Sequence, residues 1–96
     1  MITEHAIISI QAGREAEFEA EFPGAQAVIS QANGFIDLQL QRGIETPTTY
    51  LLLIHWQTLA DHTVGFRQSA LFTQWRAIIG PFFADPPVVT HFSPQA

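Results

Sequence analysis

Four histidines and four arginines carry most of the chemistry open to this chain, which has no Cys and no Lys. Their absence removes thiolate nucleophiles, disulfides, cysteine-ligated metal and iron–sulfur sites, Schiff-base catalysis and the P-loop. No serine sits in a Gly-x-Ser-x-Gly setting, so serine hydrolysis lacks its nucleophile elbow. What remains is proton transfer at imidazole and anion binding at guanidinium. His62 stands four residues before Phe66, a spacing that puts a titratable ring and an aromatic ring on one helical face. His62 is therefore the candidate general base, although an Asp61–His62 pair is equally at home in the solvated first turn of a helix. Arg67 and Arg76 are candidates for stabilising an anion, with a surface ion pair from Arg76 to Glu19 or Asp85 as the plainer alternative.

The other three histidines, His5, His55 and His91, fall in segments read below as neighbouring strands, where a shared face would bring their imidazoles together. No His-x-His motif or carboxylate spacing accompanies them, so a polar patch facing a partner sheet is favoured over a metal site. Alternation sets His5 and His55 opposite the face of Ala6, Ile8, Ile54 and Trp56. The glycines are scattered, leaving no phosphate cradle, and no cofactor is expected.

Nine acidic against four basic side chains give a formal net charge of −5. That balance argues against a nucleic acid or an anionic membrane as partner. No apolar run approaches membrane-spanning length and the first residues lack the pattern of a signal peptide, so the cytoplasm is the expected compartment. At 96 residues a single domain over 1–96 is expected, burying roughly two-thirds of the surface of its unfolded chain.

The elements that must position these side chains are legible from periodicity. Residues 3–10 read as a first strand. Residues 14–32 place Phe18, Phe22, Ala25 and Ile29 on one helical face, with a kink or break expected at Pro23 and a left-handed cap at Asn33-Gly34. Residues 35–42 alternate as a second strand, with Ile36, Leu38 and Leu40 on one side. Residues 49–56 form a third strand that is apolar on both faces for most of its length. Thr58 and Asp61 have capping-box character, and Ser69 offers a second cap before a helix carrying Leu71, Phe72, Trp75, Ile78 and Ile79 that stops at Gly80-Pro81. Residues 88–93 supply a fourth strand.

The order βαββαβ predicts an α+β, ferredoxin-like antiparallel sheet with strands one and three in the middle and both helices on one face. Strand three then has an apolar face with no cover, and a second copy of the chain is the most economical one, so a homodimer is expected. Tyr50 and Trp56 share a parity on strand three and would line a pocket wall or serve as core.

The run from Ile54 to Phe72 resembles the antibiotic biosynthesis monooxygenase domain. An aromatic (Trp56) ends strand three, a cap follows, and a helix carries a large ring (Phe66) three residues before Ser69. The Gly34-Phe35 start of strand two and the stretches Trp75-Arg76 and Pro87 to Phe92 extend the likeness over nearly the whole chain. The resemblance implies a dimeric α+β barrel with a pocket between sheet and helices in each subunit. It places His62, Arg67 and Arg76 at the catalytic positions and Tyr50, Trp56, Phe66, Phe72 and Trp75 against the substrate. The activity implied is cofactor-independent oxygenation of a small aromatic or phenolic substrate, with molecular oxygen as co-substrate. A proton-shuttling isomerase and a non-catalytic ligand-binding or stress-related protein are the alternatives on the same fold. The heme-degrading branch of the family is disfavoured, because Ala6, Phe66 and Arg76 stand where its Asn, Trp and His would be.

Overall fold

The computed structural model describes residues 1–96. Strand β1 (Ile2–Ser9) turns Glu4, Ala6 and Ile8 inward. Helix α1 (Glu15–Ile29) follows and buries Phe18, Phe22, Ala25 and Ile29, the four positions its periodicity predicts. Strands β2 (Phe35–Arg42) and β3 (Thr49–Trp56) come next. A six-residue π-helical turn (Asp61–Phe66), helix α2 (Ala70–Ile79), a 3-10 turn (Gly80–Phe82) and strand β4 (Val88–Phe92) complete the chain. The sheet order is β2-β3-β1-β4 and every pairing is antiparallel, which puts strands one and three in the middle as expected. No helix is long and apolar enough to cross a membrane.

Along β3 burial alternates without exception: Tyr50, Leu52, Ile54 and Trp56 are buried beneath the helices, while Thr49, Leu51, Leu53 and His55 are only half-buried. Phe22 of α1 meets Trp75 of α2 edge to face at 6.1 Å, joining the helices above this strand. On the outer face Ile7, Leu51 and Leu53 form an aliphatic centre, and Val88 of the edge strand, paired with Ile7, is exposed.

Four local expectations need correction. Pro23 does not break α1, since the apolar positions on either side of it stay packed in one row and the ring itself is exposed. The α-helix ends at Ile29 rather than Ala32, because tighter i to i+3 bonds from Gln31 and Ala32 replace the α pattern. A bulge between Phe35 and Asp37 shifts the start of β2, so that Phe35 faces Trp56 and Ile36 is left outside. Ser69 does occupy the cap position of α2, but its hydroxyl donates back to the Phe66 carbonyl at 2.7 Å instead of capping the helix.

Gly34 is the left-handed residue anticipated at this corner, with φ +81°. Its carbonyl accepts from the amide of Gln57 at 2.8 Å, and an added Cβ would overlap the Asp61 carboxylate. Asp61 and Thr58 form a reciprocal cap: Thr58 N–H donates to Asp61 Oδ2 at 3.2 Å and Asp61 N–H to Thr58 Oγ1 at 3.1 Å. The glycine thus leaves room for the cap that starts the π-helical turn. Gly34→Ala is expected to destabilise the fold by more than about 1 kcal/mol, through both the backbone conformation and the displaced cap. Urea denaturation with an unchanged midpoint would contradict this.

Candidate functional site

Two polar side chains are buried in this protein, Glu4 and His62, and they touch. Glu4 lies on the inward face of a central strand, with an apolar residue at each inward position that follows it. Trp56 Nε1 donates to its Oε1 at 3.0 Å, and His62 Nε2 lies 3.2 Å from the same oxygen. The π-helical turn brings His62 over the end of β3, where its ring stacks on Trp56 at 5.3 Å between centroids. On the opposite side of the imidazole, His62 Nδ1 is 2.8 Å from His91 Nε2. His91 reaches this position because the antiparallel register of β1 and β4 sets it directly across from Glu4.

Beside this cluster a cavity of about 420 Å³ opens between the sheet and α2, within the usual range for small-molecule sites. Its wall is mostly apolar; Glu4, His62, Arg67 and Arg76 supply the polar groups. Of the four arginines, Arg14 and Arg42 pair with glutamates of α1, whereas Arg67 and Arg76 have no carboxylate within ion-pairing distance. Arg76 therefore makes neither of the surface pairs considered for it. Its guanidinium lies 5.8 Å from the ring centres of both Phe72 and Phe83, over apolar surface at the cavity wall.

Of the residues singled out in the sequence, His62, Arg67, Arg76, Phe66, Phe72 and Trp75 all line this one cavity. Two do not. Trp56 stands behind His62, fully buried, and acts on the wall only through the rings stacked on it. Tyr50 lies at the other end of β3, about 20 Å away along the strand. Its hydroxyl donates to Glu19 at 2.5 Å, and burial together with that carboxylate pushes its pKa up to about 12. The three histidines weighed as a metal site also separate: His5 and His55 are on the outer face, His55 against Asp37 at 2.6 Å, while His91 faces inward. Glu4 was missed. The signal was its parity with Ala6 and Ile8, which marks a carboxylate at an inward position of a central strand.

The sequence pattern that defines the antibiotic biosynthesis monooxygenases matches residues 1–78. This chain belongs to that family. YczJ of Bacillus subtilis is 41% identical over 92 residues, which cover 96% of this chain and 97% of the relative. A crystal structure of a Bordetella bronchiseptica member of the antibiotic biosynthesis monooxygenases is 43% identical, covers 99% of this chain and 97% of its own, and superposes with a TM-score of 0.95. SnoaB, a cofactor-independent oxygenase from Streptomyces nogalater, has a TM-score of 0.82 at 17% identity, with 99% of this chain and 93% of that one covered. At that identity the likeness is one of fold.

In this monooxygenase-family site the polar groups are set by desolvation. Burial pushes the Glu4 carboxyl above its ordinary value, partly offset by the Trp56 hydrogen bond and by Arg67. Burial, with the positive charge of Arg67 and the neighbouring His91, lowers His62 to about 4. The same causes, burial first and then Arg67, lower His91. His62 is thus neutral at pH 7, and its 3.2 Å approach to Glu4 is not an ion pair between fixed charges. The two shifts act on stability with opposite sign. The folded state favours neutral His62, so stability is lost as pH falls from about 6.5 toward 4, by roughly 3 kcal/mol in total. It also favours protonated Glu4, so that contribution is gained over the same acidification and lost as pH rises through the raised pKa. His62→Gln is therefore expected to flatten the fall of Tm between pH 6.5 and 4, and Glu4→Gln to steepen it. Parallel Tm profiles for the three proteins would contradict the opposition.

Proposed function

We propose that this chain is a cofactor-independent monooxygenase of a small aromatic or phenolic, polyketide-like substrate, acting in the cytoplasm as a homodimer. The observation that carries the reading is the meeting, in one largely apolar cavity, of a buried acid–base pair and two arginines without carboxylate partners. The pair suits removal of a proton from an activated carbon, and the free guanidinium groups suit the anion that results. Membership of the family and the shared fold of SnoaB support oxygen as the second reactant.

For an anthrone-type methylene the chemistry balances without a cofactor. His62 takes one C–H proton and leaves a carbanion delocalised onto the carbonyl oxygen across the central ring, which Arg67 and Arg76 stabilise. The carbanion gives one electron to dioxygen, and the two radicals combine to a peroxide anion. The proton held by the enzyme returns to that peroxide. Loss of the second C–H proton and cleavage of the O–O bond then release water and leave a quinone carbonyl. The protein's part is to keep the carbanion dry, to hold its charge and to move the proton.

The outer sheet face supports the homodimer: Ile7, Leu51 and Leu53 stand there on central strands with no helix over them. An uncovered aliphatic patch of this kind favours association. Leu53→Glu is expected to convert a dimer into a monomer by light scattering at micromolar concentration; a monomeric parent protein would remove the proposal.

Oxygen uptake with dithranol, an anthrone, tests the chemistry. His62→Ala and Arg76→Ala are each expected to lower kcat by about 10²-fold or more. An unchanged rate in His62→Ala would overturn the role of that residue. Proton exchange at the dithranol methylene without oxygen uptake would reassign the site to isomerisation, and ligand-dependent stabilisation with neither would leave a binding protein.

A further inference from the structure

His91 lies outside the cavity wall, yet it makes the shortest hydrogen bond to His62, at 2.8 Å between His62 Nδ1 and His91 Nε2. Its other nitrogen, Nδ1, bonds to nothing within the chain. No buried side-chain nitrogen of the protein lacks a partner, so His91 Nδ1 reaches water. At the far end of the row, His62 Nε2 faces Glu4 Oε1, and both residues line the cavity. A continuous line therefore runs from the cavity through both nitrogens of His62 and both nitrogens of His91 to solvent.

We infer that His91 is a proton relay, passing the proton taken at the cavity side of His62 out to solvent and returning it, with Glu4 setting which tautomer of His62 is favoured. For its substrate the inference rests on the oxygenase reading above; for its geometry it does not. In the resting pair His62 carries its proton on Nδ1, donated to His91 Nε2, and His91 carries its own on Nδ1. A proton accepted at His62 Nε2 lets the Nδ1 proton move to His91 Nε2, and His91 then releases its Nδ1 proton to water. The first step breaks the substrate C–H bond and makes an N–H bond, the second exchanges one N–H for another, and the third breaks N–H and makes an O–H bond in water. Both rings end neutral with their tautomers exchanged. Re-protonation of His91 Nδ1 from water runs the same steps backward and delivers the proton to the peroxide anion.

The relay accounts for an arrangement that is otherwise costly. Burial and Arg67 disfavour a lasting imidazolium at His62, so a base here works only if the charge has somewhere to go. Glu4 acts at the other end as a positioning residue. As a carboxylate 3.2 Å from His62 Nε2, it favours the tautomer protonated there; when protonated itself, it favours the tautomer ready to accept. The charged and titratable groups around the line are Glu4 on β1, His62 on the π-helical turn, Arg67 just after it, Arg76 on α2 across the cavity and His91 on β4.

The test uses His91→Gln in the full chain, since an amide keeps a hydrogen bond to His62 but cannot pass a proton through. With dithranol and oxygen, kcat is expected to fall about tenfold or more with KM unchanged, and His91→Ala is expected to recover with added imidazole. A His91→Gln enzyme as fast as wild type, or a loss in His91→Ala that imidazole does not restore, overturns the relay. If wild type consumes no oxygen with dithranol, the oxygenase reading fails by itself, and imidazole ¹⁵N spectra of the ligand-free protein decide the relay. Linked changes of His62 and His91 tautomers with pH, lost in His91→Gln and shifted in Glu4→Gln, would support it. Rings that titrate independently in wild type would overturn it.

Discussion

The hydrogen bond from Trp56 Nε1 to Glu4 ties the ends of the two central strands together on their inward face. A carboxylate in that position has been stripped of most of its water, a loss that one indole donor and the distant field of Arg67 offset only in part. The surroundings follow from that imbalance. Trp56 must be held in place to keep donating, and Phe35, Phe66 and His62 pack against its ring to hold it. His62 must come in neutral, because a permanent charge would be stranded there, and the π-helical turn carries it in at the height of the indole.

A tension runs through the cavity next door. Its wall is mostly apolar, while its two arginines have no carboxylate within ion-pairing distance. Every other cation of the chain is satisfied locally: Arg14 by Glu17 and the Pro81 carbonyl, Arg42 by Glu15, Glu19 and the Pro47 carbonyl. The unpaired state of Arg67 and Arg76 is thus a property of this part of the molecule, and both belong to the segment from the π-helical turn through α2 that forms one side of the cavity.

Much of this was legible in the residues alone. The four-strand order, the two central strands and the inward set of β3 followed from alternation and chain connectivity, since a period of two leaves little freedom once one face must be covered. The six cavity residues on the turn and α2 were found because helical spacing and the family likeness point the same way. Parity left Tyr50 and Trp56 open as pocket wall or core, and both stand in the core, because parity says which face a residue is on and nothing of how far along the strand the cavity extends. Glu4 escaped, and His91 was grouped with His5 and His55 instead, for a related reason. The meeting of Glu4 and His91 depends on the register between β1 and β4, which join opposite ends of the sequence, and no local pattern fixes that register. The bulge at Ile36 was equally invisible, being decided by where Phe35 finds the Trp56 ring.

The cavity wall between the 3-10 turn and β4 includes two consecutive prolines, Pro86 and Pro87. Neither has an amide proton, each has its φ fixed by its ring, and Pro86 confines the backbone of Asp85 before it. A wall of this kind neither recruits a passing strand nor sags inward when the space beside it is empty. The course of this stretch is therefore set by covalent geometry, and the entropy of ordering it is spent during folding.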